Sequence, residues 1–179
     1  SFPATEPLLP LAEGMPMVNT AWGAQVGMAA IYANERLGLP GLQFVNGLLV
    51  VIALGTVGWA IRRLSGSVVF GMLGYVVFLI VNWQQFLVFR PQLIGVTFFS
   101  ILLAVLAING TRRRYAWFAL PIMFAAWANL HGSFAMGLAL LGLFTVGRFL
   151  DIALRTRSLR LAIRSRSAWQ LVLLLQLCS

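Results

Sequence analysis

Four polar side chains sit at the borders of apolar runs, where a membrane-embedded protein does its chemistry: Arg90, Gln92, Asn129 and His131. Arg90 directly precedes Pro91, and a guanidinium there offers a planar fork of donors that grips a phosphate or pyrophosphate head group in bidentate fashion. The same side chain also fits a plain snorkelling arginine at an interface. His131 is the only histidine. It can carry a proton or act as a weak ligand, or simply bond a neighbouring loop from a helix end, and Asn129 is read in the same two ways. One histidine and four scattered acids have no metal-ligand spacing. The single Cys178 excludes an internal disulfide and a multi-cysteine metal site. There is no glycine-rich nucleotide loop, no Gly-x-Ser-x-Gly and no His-Glu-x-x-His. The residues themselves therefore point to no cofactor.

The elements that must position these groups follow from composition. The 179 residues are 60% hydrophobic and 9% charged, against about 25% charged in a soluble domain. A soluble chain of this size needs a polar shell that these residues do not supply. A bilayer removes that need, and the expected fold is all-α, a polytopic transmembrane helical bundle. All basic residues are arginines, and the net charge is +9. They fall in short clusters between apolar runs, which is a topology signal and not a nucleic-acid surface.

Along the chain, residues 1–20 contain Pro3, Pro7, Pro10 and Pro16, which forbid a regular helix, together with Glu6 and Glu13. Residues 21–37 repeat apolar positions at helical spacing but are too polar to cross a bilayer core; they read as an interfacial helix, with Gly38 as its C-terminal glycine. Residues 1–38 thus form an extramembrane loop with an interfacial helix, and residues 39–179 a transmembrane bundle. Its spans are expected near 40–61, 66–83, 91–108, 115–130 and 133–151, followed by an arginine-rich connector over 152–167 and the start of a sixth span at 168–179. Trp22, Trp83, Trp117 and Trp127 lie near span ends and read as an interfacial aromatic belt.

Arginine density alternates between loops. Arg62, Arg63, Arg112–Arg114 and the five arginines between 155 and 166 fall on one side; only Arg36 and Arg90 fall on the other. The positive-inside rule puts the first set in the cytoplasm. Residues 1–38, the 84–90 loop and the Asn129–His131 turn then share the opposite face, periplasmic in a bacterial inner membrane. Asn19, Gln25, Gln84 and Gln85 belong to the same face.

Arg90-Pro91-Gln92 before one span and Trp127-Ala128-Asn129-Leu130-His131-Gly132 before another resemble bacterial membrane proteins of the GT-C superfamily, glycosyltransferases that use polyprenyl-phosphate sugars. Ser1-Phe2-Pro3, Gly14-Met15-Pro16-Met17-Val18-Asn19 and Trp22 look like the first periplasmic loop of that group. Leu37-Gly38-Leu39-Pro40-Gly41-Leu42 looks like the start of its next span, so that the resemblance covers about residues 1–150. It implies periplasmic sugar transfer, with Arg90, Gln92, Asn129 and His131 as candidate residues of a lipid-phosphate or sugar pocket. It also implies an early loop acid that acts as general base and helps hold a divalent metal where one is used. In the family that acid stands just after the first span, about where this chain starts. Glu6 and Glu13 do not match its position, so no catalytic base is assigned.

The chain starts at Ser1 and stops within an apolar run at Leu177-Cys178-Ser179. The expected function is therefore a piece of a GT-C-like glycosyltransferase that lacks its catalytic acid in this sequence. The alternative is a non-catalytic transmembrane subunit of a larger photosynthetic or respiratory complex. A transporter is disfavoured, because charges within the spans are almost absent. Expected partners are the lipid bilayer, a polyprenyl-phosphate sugar and other membrane subunits.

Overall fold

The structure, a computed structural model, describes residues 19–108, 111 and 115–179, with the side chains of residues 166 and 167 outside the description. The expectations for the proline-rich start with Glu6 and Glu13, for Asn109-Gly110 and for Arg112–Arg114 fall outside these residues. The regular elements described are α-helices: α1 (Trp22–Ala33), α2 (Gly38–Ser65), α3 (Val68–Leu87), α4 (Pro91–Ala107), α5 (Ala116–Leu130), α6 (Phe134–Thr156), α7 (Leu159–Ile163) and α8 (Arg166–Cys178). The expected all-α bundle is what forms.

Local chemistry sets the ends. Asn19 leads into α1, its Oδ1 accepting from the Ala21 N–H at 3.0 Å and its Nδ2 donating to Gln25 Oε1 at 2.7 Å. Asn34 closes α1 with an Asx turn, accepting from the N–H groups of Arg36 and Leu37 at 3.0 and 3.2 Å. Gly38, at φ 47°, then takes the left-handed conformation that turns the chain into α2. Pro91 opens α4, where its fixed φ suits a helix start and its missing N–H costs nothing.

Among the described residues three helices are long and apolar enough to cross a membrane: α2, α3 and α6, of 28, 20 and 23 residues. At 1.5 Å per residue α2 runs about 42 Å, longer than a bilayer core of about 30 Å. Arg62 and Arg63 fall in its last turn. The helices α4 and α5, at 17 and 15 residues, are shorter. The helix α4 occupies the middle of the bundle, with Leu93, Leu102 and Leu106 buried, whereas α5 turns Leu120, Phe124 and Trp127 inward and leaves Phe118 and Ile122 exposed on its outer face. The expected connector over 152–167 is mostly helical. Asp151 pairs with Arg148 at 3.2 Å and Arg155 at 2.7 Å, one turn before and after it, and so carries α6 past the expected end at 151. Ser158 then caps α7, accepting from the Leu161 N–H.

Between apolar helices in lipid, packing and interhelical hydrogen bonds replace the hydrophobic drive. Ala53, Val57 and Ala60 of α2 are buried, as are Gly95, Thr97 and Ser100 of α4. Thr97 Oγ1 donates to Leu93 O at 2.9 Å in its own helix and reaches Leu49 O of α2 at 3.3 Å. Paired contacts fix the directions: Asn46–Phe86 with Arg62–Gly71 for α2 against α3, Phe98–Trp127 with Gly95–His131 for α4 against α5, and Phe149–Trp169 with Gly142–Leu175 for α6 against α8. The helices α2, α4 and α6 run one way, and α3, α5 and α8 the other. The helix α1 crosses the end of the bundle. Its Gly23 lies against Asn129, with an ideal Cβ only 2.6 Å from that carbonyl, and its Ile31 meets Gly41 of α2. Gly27, four residues on, has open space around it, so of these two glycines only Gly23 makes a close approach.

The aromatic-belt reading fails for Trp127. Trp22 and Trp83 are exposed, but Trp127 is 0% exposed and is the largest fully buried side chain. Leu120, Phe124 and Trp127 recur at helical spacing on the inner face of α5. Burial is affordable because the indole N–H has a partner, Ser133 Oγ, at 3.0 Å.

Candidate functional site

The antiparallel order gathers the start of α1, the end of α3, the start of α4 and the α5–α6 turn at one end of the bundle. Just inside that end, α3, α4, α5 and α6 enclose an open groove of about 400 Å3. Its lining is graded. Asn82, Gln92, His131 and Ser133 stand at the outer end, and Phe78, Val96, Phe99, Trp127 and Met136 continue it toward the bilayer interior. Helical spacing produces the gradient: Asn82 is one turn beyond Phe78 on α3, and Gln92 precedes Val96 and Phe99 on α4.

The polar end is knit by Ser133. Its hydroxyl oxygen accepts from the Trp127 indole N–H at 3.0 Å and lies 2.8 Å from His131 Nδ1. The Ser133 backbone N–H also donates to His131 Nδ1, at 3.1 Å. A backbone N–H can only donate, so Nδ1 is an acceptor. The Ser133 O–H then points to Nδ1 as well, and the ring proton sits on Nε2. Burial lowers the His131 pKa below the ordinary 6.5, and donation into Nδ1 works in the same direction. Gly95 makes the close approach of α4 to this turn possible. A Cβ there would strike Ser133 Oγ and lie 3.2 Å from His131 Nδ1.

No family model matches the sequence, and no curated protein or solved structure matches it either.

Of the four residues singled out by sequence, Gln92 and His131 line the groove. Arg90 and Asn129 do not. Arg90 is the exposed N-cap residue of α4, two positions before Gln92. Asn129 is exposed and turns its Nδ2 back to Ala125 O at 2.8 Å; its backbone carbonyl seats Gly23 of α1. Ser133 is not among the residues that the sequence singles out, although His131-Gly132-Ser133 has the two-residue spacing of a turn in which a hydroxyl and an N–H can meet one ring nitrogen. Asn82 is not among the residues that the sequence singles out, and the walls at Phe78, Phe99 and Met136 carry no signal that separates them from lipid-facing neighbours. Among the described residues no three of His, Cys, Asp and Glu come together.

With one histidine in the chain, the ring state is directly testable. Nitrogen-15 NMR at pH 7.5 is expected to show the neutral Nε2–H tautomer. The lowered folded pKa means that the unfolded chain takes up the proton first. This contribution to stability is therefore complete above pH 6.5 and falls away as pH drops toward the folded pKa. In Ser133→Ala the backbone N–H at 133 remains and should keep Nδ1 the acceptor, so the Nε2–H tautomer is expected to persist while the pKa rises from its wild-type value through loss of the O–H donor; an Nδ1–H tautomer in the wild type would remove the network from the site.

Proposed function

We propose that this chain is the membrane body of a GT-C-like glycosyltransferase and that the groove receives the polyprenyl chain of a lipid-linked sugar donor. One observation carries the reading: a single groove that is polar at its outer end and apolar toward the bilayer, the profile of an amphipathic lipid. Its volume lies in the range of roughly 300–1,000 Å3 common to small-molecule sites. Phe78, Val96, Phe99 and Met136 suit a branched hydrocarbon. The neutral Nε2–H of His131 and the amide of Gln92 suit phosphate oxygens, Asn82 Nδ2 being already bonded to Phe78 O at 3.0 Å, and the start of α4 with Arg90 adds positive charge on the same side. These residues bind and orient a donor. The general base is assigned to none of them. The test is an equilibrium titration of the purified chain in neutral micelles with a polyprenyl phosphate. Saturable binding that an isoprenoid alcohol does not match is expected, and equal weak partitioning of both would sink the reading.

The outward face of α3, with Val69, Met72, Val76 and Ile80 exposed, favours a second reading, a non-catalytic subunit packed on partner helices. Failure to bind a polyprenyl phosphate, with stoichiometric co-purification of other membrane proteins, would select it.

We place the chain in a bacterial inner membrane with α1 and the groove mouth on the periplasmic side, as the arginine distribution directs. Cys178 is buried, so added cysteines report cleanly. A membrane-impermeant maleimide should label Gln84→Cys in intact spheroplasts and Leu64→Cys only after lysis. Labelling in the reverse order would invert the orientation.

A further inference from the structure

A second pocket, of about 460 Å3, lies at the opposite end of the bundle from the groove, at the α2–α3 turn. Its walls are Trp59, Arg62 and Arg63 from the last turns of α2, and Gly66, Ser67 and Val68 from the turn and the start of α3. Gly66, at φ 64°, folds α3 back sharply enough to bring the two helix ends together.

Three features of this pocket are matched to an anion. Both guanidiniums lack an ion pair or hydrogen bond among the described residues, whereas Arg148 and Arg155 share Asp151. Arg62 and Arg63 do not even donate to the carbonyls that end α2. The start of α3 is also uncapped, since Ser67 makes no side-chain bond to the first turn, and its leading N–H groups keep their donor capacity. Finally, Trp59 stands one turn before the arginines, exposed and on the same side of α2, as an indole does at the level of lipid carbonyls. Arginine pairs of this kind that serve only as topology anchors need no pocket. Here two forks and a helix start converge on one cavity.

We propose that this pocket binds the phosphate of an anionic membrane lipid, with Arg62 and Arg63 as its bidentate donors and Trp59 against its glycerol and upper acyl region. The lipid is a bound ligand of the leaflet at that end, separate from any donor in the groove, and the inference stands whether or not the groove reading holds.

The test is titration of the full chain, in neutral detergent micelles at physiological ionic strength, with phosphatidylglycerol carrying a fluorescent tail. At that ionic strength charges more than about 8 Å away are screened. Arg62→Gln/Arg63→Gln should weaken binding about tenfold or more, the equivalent of one charge-assisted hydrogen bond. Arg62→Lys/Arg63→Lys, which keeps the charge and loses the forks, should also weaken it measurably. Arg160→Gln/Arg164→Gln removes as much charge from an exposed stretch elsewhere and should change it less than about twofold. Equal loss in the Arg62/Arg63 and Arg160/Arg164 glutamine pairs would overturn the proposal in favour of diffuse attraction. So would full affinity in the lysine pair. Displacement of the lipid by millimolar inorganic phosphate, with the same arginine dependence, would overturn the lipid source and leave a soluble-phosphate site.

Discussion

Trp127→Ala should destabilise the bundle by about 3 kcal/mol, near the low end for Trp→Ala in soluble cores. The low end applies because an unfolded helix in lipid is not exposed to water, so that the loss is mainly contacts and cavity. Those contacts are specific. The indole stacks on Phe98 and on Phe124, each with ring centroids 5.6 Å apart, and fills the space over Gly137, where even a Cβ would collide with it. Trp127→Phe should cost about 1–2 kcal/mol, because it keeps most of the stacking and strips Ser133 of its donor. Trp22→Ala and Trp83→Ala, on exposed positions, should stay within about 0.5 kcal/mol of wild type. Reversible unfolding in mixed micelles measures all four. A loss below about 1 kcal/mol for Trp127→Ala would return this residue to the membrane interface.

The second large effect is expected in the groove. Val96 lies on its α4 wall, between Gln92 and Phe99. An indole at this position fits no space inside the bundle and must occupy the groove. Val96→Trp is therefore expected to reduce polyprenyl-phosphate affinity at least about tenfold, which corresponds to about 1.4 kcal/mol, while helix content and thermal midpoint stay near wild type. Val76→Trp adds the same group to the outer face of α3, where Val76 is already exposed, and should leave binding unchanged. Matching losses in both variants would show that the lipid does not enter the groove.

Much of this architecture is legible in the residues, because a bilayer imposes few solutions. Apolar runs of span length between arginine clusters force helices, and alternating arginine density orders their ends. The Asn34–Gly38 turn follows from side-chain chemistry alone. What the sequence hides is which apolar face turns inward. Trp127 reads like Trp83, since both end an apolar run; only packing against Phe98 and Phe124 distinguishes them. The extension of α6 to Thr156 depends on Asp151 reaching two arginines, which a tally of charges reads as a loop. The site divides along the same line. Gln92 and His131 stand out as rare polar residues at span borders and do line the groove. Asn129 stands out equally and faces away, because one step around a helix changes the surface a side chain reaches. Phe78, Val96 and Met136 are indistinguishable in type from the lipid-facing residues of α3.

The most direct measurement is photo-crosslinking with a polyprenyl phosphate that carries a diazirine in its first isoprene units, followed by mapping of the modified residues. Labels are expected on Val96, Phe99 and Met136, to be lost in Val96→Trp and competed by unlabelled polyprenyl phosphate. Labels spread evenly over Val69, Met72, Val76 and Ile80, and indifferent to competitor, would contradict a groove that receives the lipid.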